Sequence, residues 1–200
     1  MINQSIEVAV VGGGMVGGAL ALGLAQQGFS VTVIEQQAPP AFDATTQPDV
    51  RISAISTSSV ALLRELGVWD AVLAMRCHPW ERLETWEWEN AHVIFDAQEL
   101  KLPQLGYMVE NNVMHRALWD AMERHPQVTL RVPAALSTMR LNDDCHELTF
   151  EDGETLSAKL VIGADGGNSR VRQCAGIGIH AWQYQQSCML ITVECERAPG

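Results

Sequence analysis

Residues 8–25, VAVVGGGMVGGALALGLA, contain no charged side chain and hold six glycines. This run constrains the fold more than any other stretch, because it can be a membrane span, an export signal or two elements joined by a tight turn. A span needs about 20 predominantly apolar residues to cross ~30 Å of hydrocarbon, so length alone does not separate the readings. An export signal needs basic residues ahead of its apolar core. Residues 1–7 carry only Glu7, and no Lys or Arg precedes Arg51. Gly12, Gly13 and Gly14 are consecutive, where a continuous helix would be weakest. The run therefore reads as a buried strand from Ile6 to Val11, a turn from Gly12 to Gly14, and a helix from Met15 to Gln27 that ends at Gly28. A second apolar strand, Val31 to Ile34, follows and ends at Glu35.

In that arrangement Gly12, Gly14 and Gly17 have the G-x-G-x-x-G spacing of a dinucleotide-binding βαβ unit. Gly12 permits the tight turn, Gly14 lets a pyrophosphate approach the backbone, and Gly17 lets helix and strand pack closely. The anion would meet free N–H groups at the positive end of the helix dipole. Glu35 stands where an acid at the end of the second strand accepts hydrogen bonds from adenosine ribose hydroxyls, and its charge disfavours a 2′-phosphate there. The competing reading is that small residues merely let a helix pack on a sheet. It accounts for the glycines but not for the ordered series of strand, turn, helix, strand and acid.

The formal net charge of −11, with basic residues few and dispersed, argues against a nucleic-acid partner, which requires clustered Lys and Arg. Five cysteines, an odd number, suit a reducing compartment better than a disulfide framework. Cys77–His78 and Cys145–His146 are adjacent pairs, and neighbours on a strand point to opposite faces, so no metal site is expected. There is no H-E-x-x-H and no G-x-S-x-G, which leaves metallohydrolase and serine hydrolase readings without support.

Farther along, QPDVRISAIS (47–56) brings in Arg51 beside the apolar Ile52, Ala54 and Ile55. An Arg held next to a core near a bound diphosphate has an anionic partner, although an isolated Arg is more often a solvated loop residue. TSSVALLRELGVWDAV (57–72) reads as a helix opening at Thr57 or Ser58, with Val60, Leu63 and Leu66 on one face. In WERLETWEWENAHVIFD (80–96), Trp86 and Trp88 alternate with Glu87 and Glu89, the period of a half-buried strand, so the tryptophans are expected to pack a sheet face. VENNVMHRALWDAM (109–122) suggests a helix capped by Asn111 or Asn112 that buries Val113, Ala117, Leu118, Ala121 and Met122. A strand at 128–132 and a hairpin about Asp152–Gly153 run into a buried strand, Leu160 to Ile162, which delivers GADGGNSRVR at its carboxyl end. Ligands bind at the carboxyl ends of strands in open α/β sheets, so Asp165 is expected to face the crevice of the first Gly-rich turn.

Taken together, GGGMVG (12–17) with Glu35, DVRISAIS (49–56) and GADG (163–166) resemble the class A flavin-dependent aromatic hydroxylases, most closely their ubiquinone-biosynthesis branch. The resemblance covers essentially the whole chain. It implies an α/β fold: a Rossmann-like FAD-binding domain with a parallel sheet over 1–75 and 106–178, and part of a β-rich substrate domain over 76–105 and 179–200. It implies FAD held by its ADP half on Gly12, Gly14, Gly17 and Glu35, with Arg51 near the diphosphate. Asn111 and Arg116 match the helix start and turn that approach the cofactor, and Asp165 matches the Asp-Gly motif associated with FAD and NAD(P)H use. The implied reaction is hydroxylation of a prenylated benzoquinol with O2 and NAD(P)H through a C4a-hydroperoxyflavin, with no side-chain acid or base visible. Members of that family are much longer, so the chain is expected to be an N-terminal part. A cytoplasmic location is expected. A quinol substrate with an isoprenoid tail would add peripheral contact with the inner face of the membrane and the company of a biosynthetic complex. Two other classes stay open: an NAD-dependent dehydrogenase, which would need a βαβ nicotinamide domain where residues 80–158 read largely as strands and a hairpin, and a noncatalytic nucleotide-binding or interaction module.

Overall fold

A computed structural model describes residues 5–88, 91–142, 144–194 and 196. Glu89, within the expected tryptophan strand, and residues 195 and 197–200, within the expected substrate-domain segment, lie outside the described residues. The first strand, β1 (Ser5–Val11), runs into Gly12, whose φ of +104° turns the chain into helix α1 (Met15–Gln26). Strand β2 (Val31–Ile34) then lies parallel to β1. Both strands are near-continuous apolar runs because both of their faces are covered. Successive residues point to opposite faces. Val8 and Val10 join Ala21, Leu22 and Ala25 of α1 in one core, whereas Ala9 and Val11 join Leu148, Phe150 and Ala158 in a second.

The elements between β2 and the next long helix include α-helices whose buried residues, Val60, Leu63, Trp69 and Val72, join the same core as Val8, Val10 and Leu22. Strand β3 (Ile52–Ser56) leads into α2 (Thr57–Glu65), capped by the Ser56 hydroxyl, which accepts from the Ser59 N–H at 3.3 Å. The expected single helix over 57–72 is two: Gly67 takes φ +71° and the chain restarts as α3 (Trp69–Met75). Strand β4 (Cys77–Trp80) follows, then the hairpin β5 (Arg82–Glu87) and β6 (Ala91–Asp96), and then β7 (Gly106–Glu110). β3, β7 and β4 make an antiparallel sheet in that order, while among the described residues β5 and β6 pair only with each other. Trp86 and Trp88 are 72% and 85% exposed, so they do not pack a sheet face among the described residues. The alternation there belongs to a two-stranded ribbon that is uncovered among the described residues.

Helix α4 (Asn111–Arg124) packs on α1 and buries Val113, Met114, Ala117, Leu118, Trp119 and Met122; Ala121 is only half-buried. Neither Asn111 nor Asn112 caps it. Glu110 holds the N-cap position without a side-chain cap bond, Asn111 Oδ1 accepts from the Ser53 hydroxyl at 2.6 Å, and Asn112 Oδ1 accepts from the Val113 N–H at 2.6 Å. The Asn pair sits one step inside the helix, and tertiary contact outcompetes the local cap. Strands β8 (Val128–Arg131), β9 (Leu136–Asn142), β10 (Cys145–Phe150) and β11 (Thr155–Gly163) complete the main sheet in the order β8-β2-β1-β11-β10-β9. The first four strands in that order are parallel, and β10 and β9 add antiparallel. This is the expected Rossmann-like α/β class. β11 is less buried than expected toward its carboxyl end, with Leu160 49% exposed and Ile162 only partly buried against the core that α1 and α4 share. A short helix, α5 (Arg170–Cys174), is the last regular element among the described residues.

Candidate functional site

The carboxyl ends of β1, β2 and β11 open onto one crevice of about 230 Å³ lined by Gly12, Gly14, Glu35, Ala164, Asp165 and Arg170, among others. Pairing of Val11 with both Ile34 and Gly163 brings the ends of these strands level, and the loops that follow converge.

Two of the three motif glycines are required by the fold itself. A Cβ at Gly12 would stand 2.4 Å from the Ala164 carbonyl oxygen, and one at Gly17 would stand 1.9 Å from the Gly12 carbonyl oxygen. Gly14 differs: nothing lies within 4 Å of its Cβ position. Its freedom is toward the crevice, the space that a ligand approaching the backbone would take. The first bond of α1 runs from the Gly18 N–H to the Gly14 carbonyl at 2.7 Å, so the preceding N–H groups of the helix have no helical acceptor. No acidic side chain occupies the first turn of α1.

The carboxylate of Glu35 reaches into the turn: Oε2 accepts from the Gly13 N–H at 2.7 Å, and Oε1 accepts from the Gln36 and Gln37 N–H groups at 2.7 and 3.2 Å. Behind Gly13 stand His115 and Trp119 of α4, their rings edge to face at 6.1 Å. Burial pushes the His115 imidazole below its ordinary pKa and Arg116 pushes the same way, against the opposing influence of Glu35 and the Gly13 carbonyl.

Asp165 enters the crevice from the β11 side. Its Oδ1 accepts from the Ser169 hydroxyl at 2.5 Å, and its Oδ2 accepts from the Arg170 and Val171 N–H groups at 2.6 and 3.1 Å. Burial raises its pKa, but these hydrogen bonds outweigh it and hold the carboxyl below the ordinary range. Arg170 donates from Nε to the Ser137 carbonyl at 2.7 Å, which ties the Asp-Gly loop to β9.

The remaining expected residues lie elsewhere. Arg51 is exposed, and Ile52 and Ala54 beside it are exposed too, so Arg51 is not held against a core. Its carbonyl accepts from the Asn111 N–H at 2.9 Å, which places Arg51 and Asn111 together where β3 meets α4, outside the lining of the crevice. Arg116 pairs with Asp120 and Glu123 and donates to the Pro39 carbonyl, lining a separate pocket with Phe42, Glu110 and Asn112. Sequence reasoning passed over Arg170, Gln36, Ala134 and Leu136, which do line the crevice. Arg170 carried a signal as the first cation after the Asp-Gly pair, and Gln36 as the neighbour of Glu35, whereas Ala134 is brought in by its N–H bond to the Glu35 carbonyl at 2.8 Å.

The chain belongs to the FAD binding domain family, whose model matches residues 5–199. It is 70% identical over its whole length to the 3-demethoxyubiquinol 3-hydroxylase of Escherichia coli (strain K12), of which it covers 51%. It is 39% identical over 98% of its length to the ubiquinone hydroxylase UbiL of Rhodospirillum rubrum, of which it covers 45%. The chain thus spans about half the length of these curated relatives. Its fold matches the crystal structure of the flavin-dependent monooxygenase PieE in complex with FAD and substrate, with a TM-score of 0.69 at 19% identity over 88% of this chain and 33% of that one. The open position at Gly14, the unspent N–H groups of α1 and the carboxylate at the end of β2 fit the adenosine diphosphate half of FAD.

Proposed function

We propose that this chain is the cofactor-binding part of an FAD-dependent monooxygenase that hydroxylates a prenylated benzoquinol in ubiquinone biosynthesis, with O2 as oxidant and NAD(P)H as electron donor. The observation that carries the proposal is the 70% identity, unbroken over all 200 residues, to a relative named for that hydroxylation. FAD supplies the redox chemistry when bound; the protein's share is to hold it, orient it and keep water away. In this reading Gly12 and Gly17 shape the turn, Gly14 admits the diphosphate, Glu35 meets the ribose, and Asp165 holds the Asp-Gly loop against the cofactor. Arg51 and Asn111 then act from the β3–α4 junction, where an exposed guanidinium is free to swing toward an anion. We assign residues 1–75 and 106–178 to the FAD-binding domain, and 76–105 with 179–200 to part of a substrate domain.

Among the described residues no helix is long and apolar enough to cross a membrane. Peripheral contact with the inner face of the membrane and membership of a biosynthetic complex follow from an isoprenoid substrate, and belong to this proposal.

The test is to purify the chain without added flavin, denature it, and identify any released cofactor by absorbance and chromatography. Stoichiometric FAD is the expected outcome, and released NAD would overturn the reading in favour of a dehydrogenase. The full-length protein should then consume NAD(P)H and O2 in step with hydroxylation of a prenylated quinol. NAD(P)H oxidation that no such quinol stimulates would remove the substrate class.

A further inference from the structure

The G-x-G-x-x-G pattern assigns no task to its second position, here Gly13. Gly13 is nonetheless held from two sides. Its N–H donates to Glu35 Oε2 at 2.7 Å, and a Cβ on it would stand 3.0 Å from Trp119 Cζ3 and 3.3 Å from the Glu35 Cβ. The neighbouring Gly12 N–H is also spent, on the Ile34 carbonyl at 2.8 Å. Three consecutive glycines pay a large conformational entropy to adopt one geometry, so a fixed turn needs an external hold. Glu35 provides it from the end of the next strand.

Resting on the nucleotide reading above, we propose that Glu35 is a positioning residue for the phosphate-binding turn as well as the ribose partner. Its carboxylate fixes the Gly13 amide, so that the diphosphate is received by the next N–H groups, from Gly14 into the first turn of α1. The charge balance supports this division. A carboxylate beside a diphosphate is repulsive unless its own charge is met. Glu35 is met by three backbone donors, those of Gly13, Gln36 and Gln37, while nothing stands within 4 Å of the Cβ position of Gly14. One side chain therefore couples the two halves of the site: recognition of the ribose and the shape of the anion cradle.

The experiment uses the chain itself with two probes, adenosine, which has the ribose alone, and ADP, which adds the diphosphate. Calorimetric titration compares wild type with Glu35→Ala. The expected result is that the substitution weakens ADP by roughly tenfold more than it weakens adenosine. An equal loss for both probes would mean that the carboxylate touches only the ribose, and would overturn the proposal. Amide hydrogen exchange on the ligand-free wild type needs no variant to fold. The Gly13 N–H is expected to be protected before any nucleotide is added, and a freely exchanging Gly13 amide overturns the clamp even where ADP binds. A wild-type chain that binds no ADP while Gly13 stays protected overturns the nucleotide reading itself, and with it the role given to Glu35.

Discussion

Gly12 and Ala164 meet backbone to backbone: a Cβ on Gly12 would stand 2.4 Å from the Ala164 carbonyl oxygen. The contact joins the turn after β1 to the loop after β11, and it brings the Gly-rich and Asp-Gly motifs into one crevice. Gly12→Ala is expected to cost about 3 kcal/mol or more, since neither backbone can yield and φ is +104°. Gly14→Ala should leave stability within about 0.5 kcal/mol, because the site is open and φ is −67°. It should weaken FAD binding by roughly tenfold or more, by filling the approach to the backbone. Thermal denaturation and flavin titration of the two variants check the pair, and equal behaviour of both would sink the assignment of separate roles.

Arg76 and Glu110 form an ion pair at 3.1 Å that anchors the long loop before β3. Glu110 is 5% exposed and also accepts from the Asp49 N–H at 2.7 Å, while Arg76 donates to the Ala44 and Thr46 carbonyls. Arg76→Ala strands a buried carboxylate and should cost about 3 kcal/mol in urea denaturation. Arg76→Met combined with Glu110→Gln should cost less than the sum of the two single changes, because no uncompensated charge remains. Strict additivity would show that the pair is not coupled.

His115 is held neutral by burial, so the folded chain binds its proton only below the ordinary histidine range. The unfolded chain takes up that proton first, near pH 6.5. Stability contributed by His115 is therefore fully present above that pH and declines as the pH falls through the window beneath it. His115→Gln, which cannot titrate, should flatten the dependence of melting temperature on pH between about 7 and 5. Parallel curves for wild type and variant would place the pH response elsewhere.

The exposure of Trp86 and Trp88 has an optical consequence. Trp69 and Trp119 are fully buried, whereas Trp86, Trp88 and Trp182 are open to solvent. Acrylamide quenching of the chain should resolve an accessible and a protected emission. Trp86→Phe with Trp88→Phe should remove most of the accessible part, and an undiminished accessible fraction would mean that the hairpin is covered.

What the sequence determined by itself lies along the chain. The apolar run with its glycines set β1, the turn and α1, because a strand buried on both faces and a turn at positive φ each demand particular residue types at particular steps. The same spacing put Glu35 and Asp165 at strand ends. Other readings failed where a neighbour distant in sequence decided the outcome. Asn111 left its cap for Ser53 of β3, Arg51 lost its apolar setting because Ile52 faces solvent, and the tryptophan strand is left uncovered among the described residues. Only the tertiary structure placed β11 beside β1 and β8 beside β2, and so decided that Arg170 and Ala134 share a crevice with Gly14 while Asn111 and Arg51 do not. The physical reason is one of range: turn geometry and burial periodicity act within a few residues, whereas strand order is set by the packing of the whole sheet.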